Sequence, residues 1–195
     1  GDLLSLLPLS LQDNEGVVLA AIRSQKDQEH CLKRGRITES ILHYASARLK
    51  SERGVVLEGV RKYGSALCEA IGYQDDEEIV MTALQTRNNE LKRIQNEIAP
   101  FLITEFFEFC QRESGTLLAS ASVGLKDNER VVLCALSNTT KNFQYASLRL
   151  QHDKLFCLRV LEKNKGAFED LDIVMRRDLD IQKASVKEDE CCVIM

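Results

Sequence analysis

Leu125-Lys126-Asp127-Asn128-Glu129-Arg130-Val131-Val132-Leu133-Cys134-Ala135-Leu136 is one version of a phrase that this chain repeats. Leu11-Gln12-Asp13-Asn14-Glu15-Gly16-Val17-Val18-Leu19-Ala20-Ala21-Ile22 matches it, as do the stretches Leu49 to Val60 and Tyr73 to Leu84. A fifth version, Leu150 to Leu161, keeps Phe156, Cys157, Leu158 and Leu161 in the apolar places. In each version the apolar residues stand six, seven, eight and eleven places after the leading residue. That is the spacing of one helical face, and it excludes the alternation of a strand.

The phrases start at 11, 49, 73, 125 and 150, so the intervals are 38, 24, 52 and 25 residues. A unit of about 25 residues falls in the range of helical repeats. On that period the interval of 52 holds two units, which predicts a degenerate copy near residue 99, within 86–116. The interval of 38 is one unit plus an insertion at 25–36. Asp13, Ser51, Asp75 and Asp127 stand where a side-chain oxygen would cap a helix N-terminus. Glu15, Glu52, Glu77 and Glu129 follow, where negative charge suits the helix dipole. His152 holds the capping place in the fifth copy with Asp153 next, which predicts a helix starting one residue late. Gly64 and Gly166 fall just past predicted helix ends and read as C-caps. The fold class is therefore all-α: an array of about six helix-turn-helix repeats over residues 1–174, one of them degenerate.

Two copies are preceded by the same words, Tyr44-Ala45-Ser46-Ala47-Arg48-Leu49 and Tyr145-Ala146-Ser147-Leu148-Arg149-Leu150, and Ala121-Ser122-Val123-Gly124-Leu125 echoes them. Words repeated within one chain read as the packing code of an array and need no shared ligand. The pattern A-S-x-x-L-K-x-D-x-x-V-V-L-x-A-V resembles the domain of unknown function numbered 4116, over roughly residues 7 to 171. The resemblance implies an all-helical repeat fold. It also implies a setting in proteins of intracellular bacteria, effectors delivered into host cells among them. It implies no activity and no site.

The 195 residues, 44% hydrophobic, can bury one sizeable core or a stack of small ones. A net charge of −4, without aromatics interleaved among Lys and Arg, points away from nucleic acid. Seven cysteines, at 31, 68, 110, 134, 157, 191 and 192, form no C-x-x-C pair and no signal peptide is evident, which predicts a reducing, cytosolic setting. The opening Gly1-Asp2 reads as the start of a C-terminal fragment, with an effector enzyme's catalytic domain upstream as one alternative.

The chain ends Cys191-Cys192-Val193-Ile194-Met195. A cysteine, two aliphatic residues and Met form the C-a-a-X box of a prenylation substrate, and Met in the last place favours farnesyl. The expected chemistry is a covalent farnesyl on Cys192, with Val193, Ile194 and Met195 read by the transferase. Stable anchoring usually takes two signals. Glu188, Asp189 and Glu190 offset Lys183 and Lys187, so Cys191 is the candidate second site, for palmitoyl. The expected partners are a host farnesyltransferase, the enzymes that process such boxes, the cytosolic face of a host membrane and an unidentified host protein. Residues 175–190 read as a flexible tether, able to reach about 50 Å fully extended.

Two stretches break the repeat. Lys33, Arg34 and Arg36 form a basic cluster in the insertion, which reads either as a solvated loop or as a contact for anionic lipid or a partner. Phe101, Phe106, Phe107 and Phe109 follow Pro100 and read either as core, the usual place of Phe, or as an exposed groove for a partner helix. No catalytic constellation is legible: His30, His43 and His152 are scattered, Cys134 and Cys157 hold apolar repeat places, and no phosphate-cradling glycine loop occurs. No ligand pairs have the spacing a zinc site needs, and no cofactor is implied. The residues thus predict a non-catalytic module held at a host membrane.

Overall fold

The computed structural model describes residues 2–25, 40–93, 117–137 and 139–186. Among these residues every regular element is helical. The cysteine box, the basic cluster at Lys33, Arg34 and Arg36, and the Phe101–Phe109 cluster lie outside the described residues.

The units are built from up to three pieces: a short first turn, 3-10 in every unit but the fourth, a helix of four residues that unit 3 lacks, and a longer helix. Unit 2 is the pattern, with Ile41–Tyr44, Ala47–Lys50 and Arg53–Lys62. Unit 1 has Asp2–Leu6, Leu9–Gln12 and Glu15–Ser24. Unit 3 opens with Gly64–Glu69 and ends with Glu77–Arg93. Unit 4 has residues 117–120, Val123–Lys126 and Glu129–Ala135. Unit 5 has Thr140–Tyr145, Leu148–Gln151 and Lys154–Lys163. Unit 6 has Lys165–Asp170, Ile173–Arg176 and Leu179–Ser185.

The apolar code of the long helix is used as its spacing predicts. Val55, Val56 and Val60 of unit 2 are buried, as are Ile79, Val80 and Leu84, Val131, Val132 and Leu136, and Phe156, Cys157 and Leu161. The eighth-place residues Leu19, Leu57, Met81, Leu133 and Leu158 are half-buried and pack against the same core. One contiguous cluster runs from Leu4 to Ile181.

Three expectations about the units are corrected. Three of the long helices are capped one residue later than expected, by Asn14 on Val17 N, Asp76 on Ile79 N and Asn128 on Val131 N, while the fifth is capped by Asp153 on Phe156 N, as its late start implied. Asp13, Ser51, Asp127 and His152 instead end the short helices, which the sequence reading did not separate from the long ones. The fifth helix therefore starts in register with the others. Gly64 and Gly166 are not left-handed C-caps; among the described residues only Gly72, at φ 84°, has positive φ. Gly64 serves close approach, since a Cβ there would sit 2.8 Å from Arg87 Cβ and collide with the Ala83 carbonyl.

The degenerate copy expected near residue 99 falls largely on 94–116, outside the described residues. Residues 86–93 continue the long helix of unit 3. Ser122 N donates to Gln74 O at 2.7 Å and Ser122 Oγ to Asp75 Oδ1 at 2.6 Å, so unit 4 joins unit 3 directly. The sixth unit lies in the expected tether: Met175 is one period past Leu150, and Ile181 is fully buried. It escaped notice because Gln182 and Lys183 fill places that are apolar elsewhere. A polar outer face is what a terminal, capping repeat needs.

Successive units are joined by a recurring staple that explains the repeated words. The N–H of Ser46 donates to Gln12 O at 3.1 Å, and Ser46 Oγ donates to Asp13 Oδ1. Arg48 adds bonds from Nε to Asp13 Oδ1 and from a guanidinium nitrogen to Asp13 O. Between units 4 and 5, Ser147 N reaches Lys126 O, Ser147 Oγ reaches Asp127, and Arg149 repeats both bonds of Arg48. Between units 2 and 3, Ile71 N reaches Lys50 O and the Tyr73 hydroxyl donates to Ser51 O at 2.6 Å, in place of the arginine. Gly124 holds the arginine place at the third junction, with its Cβ position 3.8 Å from Asp75 Oδ1.

Gly124→Arg should complete that staple and remove a helical glycine. It is expected to raise stability by about 1 kcal/mol in urea unfolding. Gly64→Ala should cost about 1–3 kcal/mol in the same measurement, because the added methyl meets the backbone of the neighbouring helix.

Candidate interaction surface

The staple fixes which side chains face outward. The short helices of units 2, 4 and 5 start just after the residue whose N–H is bound to the preceding unit, and those of units 1 and 6 start just after the equivalent residues Pro8 and Asp172, so the first position recurs in each unit. That position holds Leu9, Ala47, Val123, Leu148 and Ile173 in units 1, 2, 4, 5 and 6. Val123 is 81% exposed, Leu148 70% and Ile173 54%, and Val174 beside Ile173 is also exposed. The C-terminal three units therefore carry a ridge of large apolar side chains in water. Single exposed apolar residues need no explanation, whereas a row set by the repeat is a candidate contact surface.

The ridge runs beside the staple's ion pairs. Ser147 and then Arg149 hold the Asp127 carboxyl below its ordinary range, against a smaller effect of burial, and Ser46 does the same for Asp13 with help from Arg48. At the last junction the chemistry is reversed. Asp172 stands in the serine place and His152 in the aspartate place, with His152 Nε2 3.9 Å from Asp172 Oδ1. On the outer edge a second ladder crosses every junction: Arg23–Glu58, Arg53–Asp76, Arg130–Glu77, Arg159–Glu129 and Lys154–Asp178. Pairs this exposed contribute about 0–1 kcal/mol each and act mainly on register.

The histidines and cysteines noted in the sequence have the following surroundings where they are described; His30 lies outside the described residues. Burial pushes the Cys157 thiol up to about 11, and burial also raises the Cys134 thiol. His152 Nδ1 lies 2.9 Å from Leu148 O, and His43 pairs with Glu69 at 3.0 Å. Glu69 is held below its ordinary range: burial opposes this, but His43 and Lys50 together outweigh it. Burial raises the Glu90 carboxyl even beside Arg87, and Gly64 N donates to its Oε1. Asn142 is buried where other units have apolar residues, and its Nδ2 donates to Ala135 O at the end of a shortened helix. A cavity of about 20 Å³ lined by Leu133, Leu136, Ser137, Val160, Lys163 and Asn164 has room for a single water. Among the described residues no group of three or more His, Cys, Asp or Glu is placed to hold a metal ion. No described helix is long and apolar enough to cross a membrane.

The ridge was missed in the sequence because the short helices were not recognised as separate elements. Aligning the copies on Ser46, Ser122, Ser147 and Asp172 would have shown a large apolar residue following three of the four caps.

Residues 128–176 match the model of a family described as "Domain of unknown function (DUF4116)". The matched stretch is narrower than the resemblance read from residues 7 to 171. No curated protein and no solved structure matches the chain.

The staple carboxylates make a sign-defined prediction. Asp127 has a folded-state pKa below its unfolded value of about 3.9, so its contribution is present above that pH and is lost as pH falls through the folded value. Wild type should thus be more stable than Asp127→Asn near pH 6, and the gap should narrow as pH falls below about 4. Urea midpoints of the two proteins across that range check it.

Proposed function

We propose that this array, which carries the DUF4116 match in its C-terminal half, is a non-catalytic interaction module of a bacterial effector, held at a host membrane by a farnesyl on Cys192. The observation that carries the module half is what the repeated polar residues do. Ser46, Arg48 and Asp13, and Ser147, Arg149 and Asp127, are engaged with one another across unit junctions. What the C-terminal units offer to solvent at a recurring place is Val123, Leu148 and Ile173, side chains suited to packing against a partner.

The lipid half is supported by the box Cys192-Val193-Ile194-Met195 itself. Sixth-unit helices up to Ser185 shorten the stand-off the sequence suggested. From Val186 to Cys192 the chain can span no more than about 20 Å. A lipid on Cys192 would hold unit 6 and its exposed Ile173, Val174 and Leu179 close to the bilayer surface. Cys191 is the second acylation site in this reading, and the membrane attachment is covalent.

In transfected eukaryotic cells, tagged wild-type chain should fractionate with membranes and Cys192→Ser with the cytosol. Mass spectrometry of the C-terminal peptide should show the farnesyl. An unmodified terminal peptide, or a Cys192→Ser protein that stays on membranes, would end the lipid half of the proposal.

A further inference from the structure

The two ends of the array differ in chemistry, and comparison of equivalent positions shows what the N-terminal end is built to meet. The bonds Leu7 N to Leu4 O, Ala45 N to Leu42 O, Ala70 N to Leu67 O, Ala121 N to Leu118 O, Ala146 N to Phe143 O and Leu171 N to Phe168 O align the units residue by residue. Leu3 is thereby equivalent to Ile41, Ala66, Leu117, Asn142 and Ala167. Those five are all at most 2% exposed, whereas Leu3 is 76% exposed.

The missing cover is a preceding unit, not a following one. Unit 1 has a following unit and Leu3 is still exposed, while Ala167 of unit 6 is buried with only unit 5 behind it among the described residues. Direct contacts agree: Asn142 donates to Ala135 O of unit 4, and a Cβ on Gly59 of unit 2 would lie 3.5 Å from Ala66 Cβ of unit 3. The long helix repeats the result. Val17 is half-buried, and its equivalents Val55, Ile79, Val131, Phe156 and Ile181 are all buried. Leu6, next to Leu3 on the same turn, is exposed as well.

We propose that the face of unit 1 carrying Leu3, Leu6 and Val17 is an inter-unit face, covered by a further helical unit of the same build joined ahead of residue 1. The required partner surface is the one that units 1 to 5 show to their successors: two or three aliphatic residues on the long helix and a small residue opposite Leu3, as Gly59 stands opposite Ala66. A second copy does not supply that surface head to tail, because unit 6 presents Gln182, Lys183 and a half-exposed Val186 there.

The test duplicates unit 2 ahead of the full chain. Residues 40–63 placed before Gly1 reproduce the register in which Tyr63 enters Gly64. A second extension uses residues 140–164 with Val160→Ala, in case the first does not fold. At least one extension should raise Tm by about 5 °C. Leu3→Glu should remove most of that gain, yet shift the unextended chain by less than about 1 °C. If neither extension raises Tm, the face is not an inter-unit face. If Leu3→Glu lowers the unextended chain as much as the extended one, the chain already covers the face itself. If the unextended chain sediments as a dimer that Leu3→Glu dissociates, a second copy is the occupant. Each of those three results overturns the proposal.

Discussion

The N–H that opens a short helix, given to the carbonyl near the end of the previous one, is the bond on which this architecture rests. Units of about 25 residues cannot bury enough apolar surface alone and become stable only by stacking. Stacking needs a register, and Ser46 on Gln12, Ile71 on Lys50, Ser122 on Gln74 and Ser147 on Lys126 supply the same one each time. Because the bond uses backbone atoms, it survives changes of side chain. Around it the serine, aspartate and arginine vary, and Tyr73 satisfies at Ser51 the carbonyl that arginine satisfies at Asp13 and Asp127.

That constancy holds whatever length of chain separates two units. Residues 26–39 separate unit 1 from unit 2, and residues 94–116 separate unit 3 from unit 4. The staple on either side is nonetheless the same as where units follow directly. Lengthening a connection costs only a slowly growing closure entropy, and the junction is defined by residues that lie beyond the insertion. The core continues across both sites without interruption.

The ends and the edge of the stack are where the repeat has consequences for function. Unit 6 has Gln182 and Lys183 in places that are apolar elsewhere, and its junction swaps the acid from the preceding unit to the cap at Asp172. Unit 1 keeps its apolar face. Along the side, the first position of the short helices holds Leu9 and Ala47 and then three large apolar residues in succession, Val123, Leu148 and Ile173, toward the end that leads to the cysteines. In the membrane-tethered reading, the bulkiest part of the ridge lies nearest the lipid.

The sequence by itself determined the helical class, the unit length and the inward face of each long helix. These depend on short-range periodicity, and offsets of six, seven and eleven residues are visible without any knowledge of neighbours. It did not determine where the helices begin. Asp13-Asn14 and Asp127-Asn128 each set two good caps side by side, and the choice falls to the second because Ser46, Arg48, Ser147 and Arg149 of the next unit bind the first. Nor did it show that Leu179–Ser185 docks, since only Ile181 of that helix is buried and one apolar residue makes no period. The exposed row and the uncovered face of unit 1 belong to the tertiary structure alone. A leucine's chemistry is the same on either side of a helix, and only the stacking of units decides which leucines meet water.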